Sequence, residues 1–200
     1  GYKYFIIMSK SNVKQELLMS SLQKFYLEKD NLDTILPIIN GDSKISLRVI
    51  DWFVTNYSKK NNISYLINEN GKIVDNIEKL KRYKEFVVYI DYKLQLKGYQ
   101  KKQFDPFCRR SRINFYYKTN TFFVTTVGQL NFFRWAIKNS VISYITNHLK
   151  KIESDMNTCY KAIYNVNKNK KSSRRKRQEL SISATKKLNK SDIKIIVAFD

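Results

Sequence analysis

The residues of this chain best suited to chemistry are its cations. Residues 168 to 190 read KNKKSSRRKRQELSISATKKLNK and hold ten Lys or Arg against a single acid, Glu179. Within them Lys170, Lys171, Arg174, Arg175, Lys176, Arg177, Lys186 and Lys187 stand close enough together to neutralise phosphates and release condensed counterions. That attraction ignores base sequence and weakens steeply with salt. A nuclear localisation signal, a solvated loop and a dock for an acidic protein are the competing readings of such a run. A second group comprises Lys97, Lys101, Lys102, Arg109, Arg110 and Arg112, with one acid, Asp105, and the rings of Tyr99, Phe104 and Phe107 between them. Guanidinium groups beside aromatic rings suit phosphate contact combined with base stacking. The alternative is that Phe104-Asp-Pro-Phe107 forms a turn whose two rings plug the core while Asp105 pairs with Arg109 or Arg110.

Other chemistry has less support. Phe115, Tyr116, Tyr117, Phe122 and Phe123 resemble a stacking platform, but only alternate residues of a hairpin share a face, so at least half of them belong to a core. Trp52 and Trp135 fall on expected helices and read as packing residues. The lone His148 has no nucleophile or carboxylate at a telling distance along the chain, and Cys108, despite Arg109 and Arg110 beside it, has no evident base. Five glycines form no phosphate-cradling loop. Asp51, Asp75, Asp91 and Asp105 are the scattered carboxylates that a two-metal nuclease would have to use, and none is spaced diagnostically. The expectation is a protein without enzymatic activity, cofactor or metal.

Composition agrees with a polyanionic partner. Lys and Arg number 38 against 17 Asp and Glu, for a formal charge of +21. Abundant Lys, Asn, Ile and Tyr also suit an AT-rich coding bias, yet such bias does not remove carboxylates. With 42% hydrophobic and 14% aromatic residues, 200 residues suffice for a real core. Cys108 and Cys159 are too few for a disulfide framework and lack zinc-ligand spacing, which favours a reducing compartment. No apolar run reaches the roughly 18 residues of a membrane span, and the opening GYKYFIIM is short for a signal peptide. Met8 resembles a natural start, with residues 1 to 7 appended or trimmed. An intracellular protein is expected.

The elements that must carry these residues read as α+β. Ser11 or Asn12 caps an amphipathic helix over residues 12 to 28, and residues 31 to 40 form a short apolar piece punctuated by Pro37 and Asn40-Gly41-Asp42. Ser46 caps a helix from Leu47 to about Tyr57, broken by Ser58-Lys-Lys-Asn-Asn62. Residues 63 to 67 and 72 to 74 flank Asn68-Glu-Asn-Gly71 as a hairpin. Alternation from Phe86 predicts a strand to about Ile90, followed by a helix ending before Pro106. Residues 112 to 117 and 121 to 124 form a second hairpin. Thr125 or Thr126 caps a helix with Val127, Leu130, Phe133 or Arg134, and Ile137 on one apolar side; after Asn139-Ser140 a long helix runs from Val141 to about Tyr164. The expected organisation is a body over 1 to 164, a basic arm over 165 to 191, and a C-terminal strand over 192 to 200 that packs on the body.

Three segments carry a family resemblance: Asp51-Trp-Phe-Val-Thr-Asn-Tyr-Ser-Lys-Lys-Asn61, Gln95-Leu-Lys with Lys101-Lys-Gln-Phe-Asp-Pro-Phe-Cys-Arg-Arg110, and Thr125-Thr-Val-Gly-Gln-Leu-Asn-Phe-Phe-Arg-Trp-Ala-Ile137. Over roughly residues 46 to 140 the chain resembles an uncharacterised protein family of nucleocytoplasmic large DNA viruses. The resemblance implies a viral setting and carries no catalytic residue with it. The combined expectation is a basic protein that grips nucleic acid, DNA favoured, through phosphate contacts with low specificity, in host cytoplasm, nucleus or virion. A minor capsid or scaffold protein docking on other virion proteins, acidic protein or membrane is the alternative, and a metal-dependent nuclease the third reading.

Overall fold

In the computed structural model the described residues are 13–28, 30–74, 82–99, 101–108, 111–118 and 121–169. Helix α1 (Val13–Leu27) buries Leu18, Met19, Leu22, Phe25 and Tyr26, while Leu17, expected on the same apolar side, is exposed. The apolar piece that follows is itself a helix, α2 (Asn31–Asn40), with Pro37 inside it and Ile35, Ile38 and Ile39 buried. Gly41, at φ 82°, terminates it.

The Ser46 hydroxyl accepts from the Val49 N–H at 3.2 Å and starts α3 (Leu47–Trp52). Of the expected break over Ser58 to Asn62, only Asn61 and Asn62 leave the helix. A π-helical turn, Phe53–Tyr57, instead carries the chain into α4 (Ser58–Lys60), with the Ser58 hydroxyl, itself buried, donating to the Val54 carbonyl. Bonding back to the helix lets a polar residue stay helical where sequence alone suggested a loop.

Strand β1 (Ser64–Asn68) turns at Asn68, whose side-chain oxygen accepts from the N–H groups of Asn70 and Lys72, and Ile67 bridges Ile73. The expected hairpin is therefore only a bridge. The full partner of β1 is the antiparallel strand β2 (Tyr83–Val87), with Leu66 opposite Glu85. Strand β2 runs directly into α5 (Val88–Tyr99), so the strand ends three residues before the expected Ile90. Val88 and Tyr92 are buried at helical spacing, while Ile90 and Leu94 point outward. The apparent alternation combined a strand end with both faces of a helix.

A 3₁₀ turn (Lys101–Gln103) leads to β3 (Arg112–Lys118), which pairs antiparallel with β4 (Thr121–Thr126) as expected, with a bulge near Tyr117. Strand β4 passes without a loop into α6 (Val127–Lys138), capped by Thr126, whose hydroxyl accepts from the Gln129 N–H at 3.1 Å. The expected single apolar side understates α6. Nine of its residues, from Val127 to Ala136, are buried, and α1, α2 and the 3₁₀ turn pack against it. The rings of Tyr92, Phe104, Phe132 and Trp135 pack against one another at centroid distances of 5.7 to 6.2 Å.

Helix α7 (Val141–Asn169) continues five residues beyond the expected end at about Tyr164. The chain is α+β; among the described residues its helices pack with two two-stranded antiparallel sheets. The proposed start at Met8, the rest of the basic arm and the C-terminal strand over 192 to 200 lie outside the described residues.

Candidate nucleic-acid interface

The body's basic group is positioned by the first turn of α6. Arg112 opens β3 directly opposite Thr126, the cap of α6. One turn on, Gly128 lies so close to the 101–105 segment that a Cβ there would stand 2.9 Å from the Asp105 carbonyl oxygen and 3.2 Å from that of Lys102. Arg112, Lys101 and Lys102 are thus drawn to one end of the same helix, with Lys97 one turn upstream on α5. All four side chains are exposed.

The turn is also fastened from within. Asn131, buried on α6, donates to the Gln103 carbonyl at 3.0 Å and accepts from Arg134 at 2.6 Å. Arg134 further reaches the Ser21 hydroxyl of α1 at 2.9 Å and the Tyr99 hydroxyl at 3.4 Å. Through these neutral partners the half-buried guanidinium ties α1, the end of α5 and α6 together. Sequence reasoning missed Asn131 and Gly128 and saw Arg134 only as a helical position. Neither type nor spacing marked them; the signal lay in tertiary contact.

The turn reading of Phe104-Asp-Pro-Phe107 holds in part. Phe104 is fully buried, stacked on Tyr99 at 6.0 Å, so it is no base-stacking ring, whereas Phe107 is only half-buried. The Asp105 carboxylate accepts from the Phe107 N–H at 2.9 Å and faces Lys101 at 3.7 Å. Arg109 and Arg110 lie outside the described residues, as do Lys170, Lys171, Arg174, Arg175, Lys176, Arg177, Lys186 and Lys187. Among the described residues Lys97, Lys102 and Arg112 enter no ion pair. With the Lys101 side chain exposed, its loose pairing with the half-buried Asp105 offsets little of the local charge.

On the β3–β4 hairpin Phe115 and Phe123 are buried and Tyr116 is exposed against Phe122, so the expected platform divides between core and surface. Trp135 is buried and donates to Asp91 at 2.6 Å; Trp52, half-buried, donates to Asp155 at 3.1 Å. His148 stacks on Tyr144 at 4.2 Å and its Nδ1 donates to the Tyr144 carbonyl. Cys108 and Cys159 are free thiols. Between α4 and α7 an open groove of about 520 Å³ is lined in part by Tyr57, Lys150, Lys151 and Asp155. Its carboxylate is engaged by Trp52 and by Lys60, and the hydrogen bond to Asp155 pushes the Lys60 pKa up. Among the described residues no three His, Cys, Asp or Glu converge as metal ligands, and no helix is long and apolar enough to cross a membrane.

A family model described as Family of unknown function (DUF7197) matches residues 7–200. The chain belongs to that family. The match extends well past the three segments that carry the resemblance in sequence. This DUF7197 chain is 45% identical over 160 residues to Uncharacterized protein L507 of Acanthamoeba polyphaga mimivirus, covering 75% of the chain and 58% of the relative. It therefore spans less than two thirds of that viral protein's length. Mimivirus is itself a nucleocytoplasmic large DNA virus, in keeping with the family expected from sequence. No solved structure matches this DUF7197 chain significantly.

Proposed function

We propose that this is a non-enzymatic, virus-encoded protein that binds nucleic acid, DNA foremost, through phosphate contacts of low sequence specificity. The observation that carries the reading is the gathering of Lys101, Lys102 and Arg112 on exposed positions around the start of α6, with the exposed Lys97 one turn upstream on α5; Lys97, Lys102 and Arg112 have no ion-pair partner among the described residues. Cations fixed by a buried helix need little further ordering when they meet phosphate. The chain's formal charge of +21 supports the same partner. The stretch from Lys170 to Lys187 supplies further contacts in this reading.

The test is a gel-shift series with duplex DNA, single-stranded DNA and RNA at several salt concentrations. Replacing Lys97, Lys101, Lys102 and Arg112 by Ala is expected to weaken binding and to flatten the slope of log Kobs against log salt by about 0.9 per lost duplex contact. Replacing Arg174, Arg175, Lys176 and Arg177 by Ala is expected to flatten it independently. Tight wild-type binding that ignores salt, or no binding at low salt, refutes the proposal.

A minor capsid or scaffold component is the second reading, favoured by the exposed Ile163 and Tyr164 on α7. Stoichiometric retention in virion shells stripped of DNA supports it; loss with the genome supports the first. The nuclease reading has less support, because Asp91 and Asp105 are separately engaged by Trp135 and by the Phe107 N–H.

A further inference from the structure

The cations near α6 do not end at Lys97. Helix α5 turns Val88 and Tyr92 into the core, and the opposite face carries Ile90, Lys93, Leu94 and Lys97. At 100° per residue these four fall within an arc of about 100°. Ile90 is 57% and Leu94 59% exposed, so two aliphatic side chains stand in solvent between lysines. At the start of the helix the Tyr89 ring holds two ammonium groups. Lys93 lies 5.6 Å from its centroid, and Lys59, arriving from α4, lies 5.4 Å away. Neither lysine has an acidic partner among the described residues.

Two like charges drawn to one ring repel each other, and the weak attraction of the ring face is what gathers them. An anion that pairs with either ammonium relieves that repulsion. The exposed neighbours restrict what the anion is attached to. A partner that alternates charge with apolar surface fits, and a sugar–phosphate backbone does so: phosphates for the lysines, the carbon faces of the sugars for Ile90 and Leu94. Charge complementarity with the unpaired lysines selects the same occupant.

We propose that the α4–α5 face formed by Lys59, Tyr89, Ile90, Lys93 and Leu94 is a backbone-binding track that continues the Lys97 to Arg112 surface, so that a nucleic-acid strand passes along α5. The inference rests on the nucleic-acid reading above and adds where the strand runs.

The test uses the full chain and the Lys59→Ala/Lys93→Ala variant with a duplex oligonucleotide over a salt series. The variant is expected to weaken binding and to lower the slope of log Kobs against log salt by about 1.8, the value for two lost contacts. In parallel, lysine acetylation of the wild-type complex is expected to show Lys59 and Lys93 protected by DNA, a reading that does not depend on the variant's folding. Wild-type binding with an unchanged variant slope and both lysines fully reactive overturns the track and leaves the proposed function standing. Failure of the wild type to bind any nucleic acid defeats both. Phosphatidylserine vesicle binding that the variant loses while it keeps its DNA affinity overturns the track in favour of a lipid surface.

Discussion

Gly128 of α6 and Asp105 of the basic turn meet backbone to backbone: a Cβ on Gly128 would stand 2.9 Å from the Asp105 carbonyl oxygen. The same Cβ would lie 3.3 Å from the Phe104 nitrogen. This approach lets Phe104 reach the core while Lys101 and Lys102 stay at the surface beside it.

Gly128→Ala therefore sets two effects against each other. Alanine gains about 1 kcal/mol of helix propensity, whereas overpacking costs about 1–3 kcal/mol. The opposing atoms are backbone and cannot rotate away, so a lower urea midpoint and weaker DNA binding are expected. A raised midpoint would show that the turn is free to move.

Two other glycines form a matched pair. Gly41 and Gly71 both have left-handed backbone, at φ 82° and 73°, but a Cβ on Gly41 meets nothing within 4 Å while one on Gly71 would lie 1.7 Å from the Lys138 carbonyl oxygen. Gly41→Ala is expected to cost about 1–2 kcal/mol from conformation alone. Gly71→Ala must also part the β1 turn from the α6–α7 corner, where the Ser140 hydroxyl donates to the Gly71 carbonyl at 2.7 Å. Thermal melts of the two variants should rank Gly71→Ala clearly lower; equal melting would contradict this contact.

Asn131→Ala removes both the donor to the Gln103 carbonyl and the acceptor for Arg134. Leaving such groups unsatisfied costs about 1–3 kcal/mol. Because Gln103 belongs to the basic turn, chemical denaturation and the salt slope of DNA binding are expected to change together. A stability loss with an unaltered slope would separate the turn from binding.

Alkaline pH should destabilise the fold. Burial pushes the Tyr26, Tyr65 and Tyr92 hydroxyls above their ordinary pKa of 10.0. Above about pH 10 the unfolded chain loses these protons while the folded chain keeps them. Stability is thus full below that pH and falls as pH rises, by at most about 1.4 kcal/mol per pH unit for each tyrosine. Tyr26→Phe lacks the donor to the Leu130 carbonyl, a 2.6 Å bond, so it is expected to melt lower at pH 8 but to lose less on going to pH 11. Parallel melting curves at both pH values would exclude Tyr26 from the alkaline transition.

By itself the sequence determined what depends on neighbours along the chain. The Ser46 and Thr126 caps, the β3–β4 hairpin, the interruption at Asn139-Ser140 and the excess of cations were all legible there, because caps, turns and charge arise within a few residues. Tertiary structure decided what depends on distant packing. It turned Ile90 and Leu94 outward and sank Phe104 into the core. It also brought Arg112 to Thr126 and the 101–105 turn onto Gly128. No periodicity records such meetings, because each depends on two segments closing over a shared core, where close packing rather than local propensity selects the arrangement.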